Sequence, residues 1–138
     1  MMKILIPVDG SDNANRAVQC LIKQAGNSRE PVEVHLLNVQ HSMPGTVGET
    51  AQAKQYHHEE GMKALSSACK LLDDAKVKYA YHISVGDIGE VVAHFVNELK
   101  CDQVVMGTRG MGAVANMVMG SAATQVLNLV KVPVLLVK

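Results

Sequence analysis

DQVVMGTRGMGAVANMVMGSAATQVLNLV, residues Asp102–Val130, changes character twice within one stretch. Gln103–Met106 is a short apolar run rich in valine and reads as a strand. Gly107, Gly110, Gly112 and Gly120 then punctuate a segment with no apolar period, which reads as a loop. From Ser121 onward Ala123, Val126, Leu127 and Val130 recur at helical spacing. Strand, glycine-rich loop and helix make the first half of a βαβ unit, and the apolar run Val132–Val137 supplies the strand that completes it.

The rest of the chain repeats this alternation. Lys3–Val8 is a first strand closed by the turn residues Asp9, Gly10 and Ser11, and Asp12 is placed to cap the next segment. In that segment Ala14, Ala17, Val18, Leu21, Ile22 and Ala25 mark a helix that Gly26 and Asn27 end. Val32–Val39 is a second strand and residues 40–49, with Pro44, Gly45 and Gly48, read as a loop. A long helix is expected from Thr50 to about Ala75. A third strand is expected over Val77–Val85, and an amphipathic helix over Ile88–Leu99. The order βαβαβαβαβ calls for an α/β fold, a parallel sheet wound on both faces by helices. Near-continuous apolar runs in the first and fourth strands suit strands covered on both sides. Nothing divides residues 1–138, which read as one domain.

Composition limits the function. Thirteen basic and thirteen acidic residues leave a formal net charge of zero. That is a poor match for sequence-independent nucleic-acid binding or for a membrane surface, both of which need an excess of positive charge. The chain is 48% hydrophobic but only 3% aromatic, so its core must be aliphatic and methionine-rich. Cys20, Cys69 and Cys101 are far apart and form no metal or redox pair, and the apolar run at the N-terminus is too short for a secretion signal. The expectation is a soluble, cytoplasmic protein.

In open parallel sheets ligands sit beyond the carboxyl ends of strands, where the strand order reverses. Two strand ends are equipped for that. Pro7, Val8 and Asp9 follow the first strand, and Gly107, Arg109 and Gly110 follow the fourth. If these strands are neighbours, one crevice lies between them. Gly107 and Gly110 allow positive φ and close approach of a ligand to the backbone. Gly120 and Ser121 open a helix whose unpaired N–H groups suit phosphate, with Ser121 a further donor or a cap. Asp9 can accept from two sugar hydroxyls, and Arg109 can add positive charge. Each element alone is as well explained by ordinary turn or cap chemistry; their co-occurrence at two adjacent strand ends favours a ligand. The stretch is not a Walker A loop, because no lysine lies between Cys101 and Lys131. DGSDNAN after the first strand is not a dinucleotide fingerprint either, and an FMN carrier would put its phosphate loop there.

The spacing Gly107-x2-Gly110-x9-Gly120-Ser121, with KILIPVDGS at the start and VPVLLV at the end, resembles the universal stress proteins of the UspA type, in their nucleotide-binding form. The resemblance covers the whole chain. It implies a three-layer α/β/α sandwich of the Rossmann-like adenine nucleotide alpha hydrolase type, with a five-stranded parallel sheet in the order 3-2-1-4-5. It implies ATP or a related adenine nucleotide (AMP or ADP), with Mg²⁺ or Mn²⁺ at the phosphates. By the same resemblance Asp9 would hold ribose. Pro7, Val8, Val39 and Met106 would line the adenine pocket, Gly107 and Gly110 would leave room, and Gly120, Ser121 and the Ala122 amide would bind phosphate. Family members commonly form homodimers through antiparallel pairing of the last strand, here Val134–Val137.

No paired carboxylates or general base stand out, so no catalytic residue is assigned and a regulatory stress-response module is expected, with at most slow hydrolysis or autophosphorylation. A true ATP-hydrolysing or phosphotransfer enzyme is the first alternative, and a non-nucleotide interaction protein the second. His57 and His58 are adjacent on a helix, about 100° apart, and are expected on a solvated surface rather than on a metal. His41 is expected in a loop near the crevice, and His35, His82 and His94 in structural positions. Cys69 is expected to pack, as are Met111, Met117 and Met119 of the glycine stretch. Asn116 lies inside the motif without an assigned contact.

Overall fold

The computed structural model describes residues 1–42, 50–110 and 119–138. Among them lie five strands, β1 (Met2–Pro7), β2 (Val32–Gln40), β3 (Tyr79–Val85), β4 (Gln103–Gly107) and β5 (Val134–Val137). They alternate with four helices, α1 (Asp12–Gly26), α2 (Ala51–Asp74), α3 (Ile88–Leu99) and α4 (Ser121–Leu129). All strand pairs are parallel and the sheet order is β3-β2-β1-β4-β5, the expected one. The chain builds outward from β1 to β3, then crosses back to lay β4 on the other side of β1. The order therefore reverses between β1 and β4.

The pleat sorts the core into two layers. Ile4, Ile6, Val34, Leu36 and Val105 pack with Ala14, Ala17, Val18 and Leu21 of α1 and with Leu65, Ala68 and Leu72 of α2. Leu5, Leu37, Val104 and Met106 pack on the opposite face with Val92 and Val96 of α3 and Ala123 and Val126 of α4. Each fully buried leucine or isoleucine contributes about 1.5–3 kcal/mol of burial free energy. With one phenylalanine in the chain, these aliphatic layers carry the fold.

Several ends differ from expectation for local reasons. Ser11, not Asp12, caps α1: its Oγ accepts from the Ala14 N–H at 3.1 Å, while Asp12 sits in the first turn. β3 starts two residues late because Lys76 is left-handed, with φ 58°, and the Val77 N–H closes back on the Leu72 carbonyl at 3.0 Å. β5 starts after Pro133, which has no N–H to give but accepts from the Val104 N–H at 3.0 Å. His57 is the larger departure. It is 4% exposed, within a buried α2 stripe of Ala53, His57, Gly61, Leu65, Ala68 and Leu72. His58 is exposed as expected. Gly61 explains how the stripe seats, since a Cβ there would stand 2.7 Å from Ile83 of β3. The loop expected at 40–49 falls mostly outside the described residues, as do Gly112, Met111, Asn116 and Met117; Met119 is described and exposed. No helix among the described residues is long and apolar enough to cross a membrane.

Candidate functional site

The point of strand reversal carries a cavity of about 690 Å³. Pro7, Val8, Asp9, Val39, Met106, Gly107, Arg109, Gly110, Gly120, Ser121 and Ala122, all eleven expected site positions, line it. β1 and the turn after it deliver the first three, β2 Val39, β4 and its loop the next four, and the start of α4 the last three. The volume falls in the range of small-molecule and cofactor sites, about 300–1,000 Å³.

The walls are held by hydrogen bonds that span the chain. Val8 N–H donates to the Leu37 carbonyl at 2.8 Å, and the Val8 carbonyl accepts from Asn38 Nδ2 at 2.8 Å. Asn38 Oδ1 in turn accepts from Gln40 Nε2 at 2.6 Å, which fixes the polar rim beside Val39. On the other side the Gly120 N–H donates to the Thr108 carbonyl at 2.6 Å. That bond closes the glycine stretch at its base and sets the start of α4 against Arg109, whose Cα lies 3.5 Å from the place of a Gly120 Cβ.

Asn13 stands behind the wall of the site rather than in its lining, and carries no signal in the sequence motifs. It is buried on the first turn of α1. Its Oδ1 accepts from the Arg109 N–H at 2.7 Å, and its Nδ2 donates to the Val137 carbonyl at 2.9 Å. The same carbonyl accepts from the Thr108 N–H at 3.0 Å. These partners lie 96 and 124 residues away from Asn13 in sequence. The only local sign is a polar residue on the apolar face of an amphipathic helix.

Two glycines are needed for space rather than for handedness. Neither Gly107 nor Gly110 has positive φ, contrary to the expectation from sequence; Gly10 does, at 87°. A Cβ on Gly107 would stand 2.5 Å from Asn13 Oδ1, and one on Gly110 would stand 2.6 Å from Asp9 Oδ2. Asp9 is thus held against the glycine stretch, and its Oδ1 accepts from the Ser11 N–H at 3.0 Å. Gly120, not Ser121, occupies the cap position of α4, and it brings no side-chain cap. Ser121 is the first helical residue and is exposed. A helix start without a capping side chain leaves amide donors for another acceptor, and the dipole there favours an anion.

α2 adds a third wall through Glu60, Lys63 and Ala64, and His41 completes the rim. Lys63 Nζ pairs with Glu60 at 3.2 Å. The wall of the cavity thus combines apolar side chains at Val8, Val39 and Met106, the carboxylate of Asp9 and the start of α4 without a side-chain cap. Among the described residues no group of three or more His, Cys, Asp or Glu is arranged to hold a metal ion. Cys101 lies elsewhere, buried, and burial pushes its thiol up to about 11, the opposite direction from a reactive thiolate.

A model of the universal stress protein family matches residues 1–138. Universal stress protein MJ0531 of Methanocaldococcus jannaschii is 31% identical, over 99% of this chain and 81% of its own length. A universal stress protein of Thermus aquaticus is also 31% identical, over 98% of this chain and 97% of its own. Among solved structures, the hypothetical protein MJ0577 superposes with a TM-score of 0.81 at 25% identity, covering 99% of this chain and 95% of that one. A universal stress protein in complex with cAMP gives a TM-score of 0.73 at 22% identity, with 99% and 97% covered. The universal stress protein of Archaeoglobus fulgidus in complex with dAMP gives 0.70 at 23%, with 100% and 98% covered. On its family match, its strand order and its two relatives at this identity, the chain belongs to the universal stress protein family.

Proposed function

We propose that this chain is an adenine-nucleotide-binding regulatory module that takes ATP in the crevice between β1 and β4. The observation that carries the reading is the convergence of two strand ends and an uncapped helix start on one cavity, with Asp9 and Gly110 in close approach. Relatives of the same fold solved with cAMP and dAMP support the adenine part. In this reading Val8, Val39 and Met106 cover the base and Asp9 accepts from the ribose hydroxyls. The amides of Ser121 and Ala122, with Gly120 and Arg109, take the phosphates. Mg²⁺ or Mn²⁺ would be carried by the phosphate oxygens, since the described side chains of the cavity offer only Asp9 and Glu60 as carboxylates and Glu60 is paired with Lys63.

The role is regulatory rather than rapidly catalytic, with slow turnover at most, because Asp9 is engaged by the Ser11 amide and the described cavity lining has no paired carboxylates to position a water. A homodimer through β5 belongs to the same reading. β5 is an edge strand of four apolar, partly exposed residues, and an unpaired apolar edge is a template for another strand. The cytoplasm is the compartment that unpaired, scattered cysteines suit.

The test is direct. Freshly purified protein is denatured and its released small molecules are identified by mass spectrometry; the nucleotide-free protein is then titrated with Mg-ATP by calorimetry. An adenine nucleotide released, or a saturable isotherm abolished by Gly110→Val, supports the reading. A folded protein that releases nothing and gives no heat overturns it.

A further inference from the structure

A second cavity, of about 420 Å³, lies between the N-terminal half of α2 and the end of β3. Lys54, His57, His58, Ile83, Ser84 and Val85 line it, and it shares no lining residue with the crevice at β1 and β4. We propose that it is a separate binding site for a small oxyanion of the phosphate class.

Three observations point there. The first is His57. It holds a core position on α2, yet its Nδ1 is buried and has no hydrogen-bond partner among the described residues. Buried polar atoms are nearly always satisfied, and one that is not requires an explanation such as a bound ion or a functional role. An apolar side chain would fill the stripe without that cost, so packing alone does not account for an imidazole here. The second is sign. Lys54 stands three and four residues before His57 and His58, so each ring is one turn from the ammonium and all three line the same cavity. Ser84 adds a hydroxyl from the strand. Every side-chain polar group of the lining can donate, and no carboxylate is among them. The third is construction. Gly61 lets α2 rest on Ile83. That contact sets the height of the helix over β3, and the cavity opens one turn nearer the helix start, at His57.

A metal ion is the poorer occupant. Successive imidazoles on a helix diverge by about 100°, and no group of three metal-ligating residues occurs among the described residues. An oxyanion needs only donors around it. The Lys54 ammonium supplies the charge-assisted bond, and the imidazole N–H groups and the Ser84 hydroxyl supply further donors.

The probe is inorganic phosphate, added to the full-length protein while the side-chain resonances of His57 and His58 are followed by NMR. The wild type, Lys54→Met, Lys54→Arg and Gly110→Val are compared. Lys54 is exposed, so its replacement leaves the fold intact. The expected result is a saturable shift at both histidines that Gly110→Val leaves unchanged. Lys54→Met weakens it about tenfold or more, the loss of one charge-assisted hydrogen bond, and Lys54→Arg largely restores it. No saturable shift in the wild type overturns the proposal, as does undiminished affinity in Lys54→Met. A shift abolished by Gly110→Val traces the phosphate to the other crevice and overturns it too.

Discussion

One added methyl group at each of two glycines separates a binding role from a structural one. In Gly110→Ala the new Cβ would lie 2.6 Å from Asp9 Oδ2. An ordinary contact needs about 3.5 Å, so the carboxylate must retreat by roughly 0.9 Å. Asp9 is exposed and Oδ2 is the far end of its side chain, so the retreat costs the fold little. The substitution also restricts the unfolded chain, which gains about 0.4–1 kcal/mol where the backbone suits alanine. In the proposed complex the ribose contact is what suffers. Losing a hydrogen bond to a charged group costs about 1.5–3 kcal/mol, or roughly 10- to 150-fold in affinity. Gly107→Ala presents the opposite case. Its Cβ would meet Asn13 at Oδ1 (2.5 Å), Cγ (2.7 Å) and the backbone oxygen (3.1 Å), inside the protein where Asn13 is pinned on both ends. The clash costs about 1–3 kcal/mol, about 3–12 °C of melting temperature in a domain of this size. Mg-ATP titration calorimetry and scanning calorimetry on both variants provide the check. If Gly110→Ala binds as tightly as wild type, Asp9 does not hold the ligand. If Gly107→Ala melts where wild type does, the Asn13 contacts do not bear on stability.

The same geometry sets three further outcomes. Asn13→Ala removes a donor and an acceptor at once and strands the Arg109 N–H and one lone pair of the Val137 carbonyl; a loss of about 2–4 kcal/mol by urea denaturation is expected, and a loss within experimental error would refute the bridge. Burial, and next the nearby His35, hold the His82 imidazolium below the usual histidine range. The unfolded state therefore binds more protons just below about pH 6.5, so stability is fully present above that value and falls as pH drops toward the lowered pKa; His82→Gln should flatten that slope in urea midpoints measured across the window, and an unaltered slope would place the protons elsewhere. Leu136→Lys, on the apolar edge strand, should convert the proposed dimer into a monomer in sedimentation velocity, with no change if subunits associate elsewhere.

The element order is readable in sequence because the first and fourth strands are near-continuous apolar runs and the first, third and fourth helices carry apolar residues at helical spacing; Ile4, Ile6 and Leu5 sort to the two faces as the pleat requires. The lining of the crevice is readable for a similar reason, since glycine spacing records where backbone must come close. The departures share a cause. Asn13 acts through partners about a hundred residues distant, and no local pattern announces them. His57 is buried against expectation because its stripe is built partly from Ala53 and Gly61, which carry too little apolar weight to mark a buried face. The histidine chain on β2 and β3 reads in sequence only as structural. In it His35 Nε2 meets Glu33 at 2.7 Å and Nδ1 meets His82 at 3.0 Å, a pairing that depends on strand register. The starts of β3 and β5 shift where a left-handed lysine and a proline override apolar character.

The Val137 carbonyl receives both the Thr108 amide and the Asn13 carboxamide, and the other end of that carboxamide holds the Arg109 amide. One planar group therefore ties the outermost strand to the loop around the crevice. A shift of β5 along or away from the sheet would pull on the Arg109 backbone through two bonds, both made by Asn13 at the start of α1. If strand pairing across that edge and nucleotide in the crevice both settle the position of Val137, linkage makes the influence mutual. The factor by which ligand tightens association must equal the factor by which association tightens ligand. Occupancy would then report on subunit concentration as well as on nucleotide level.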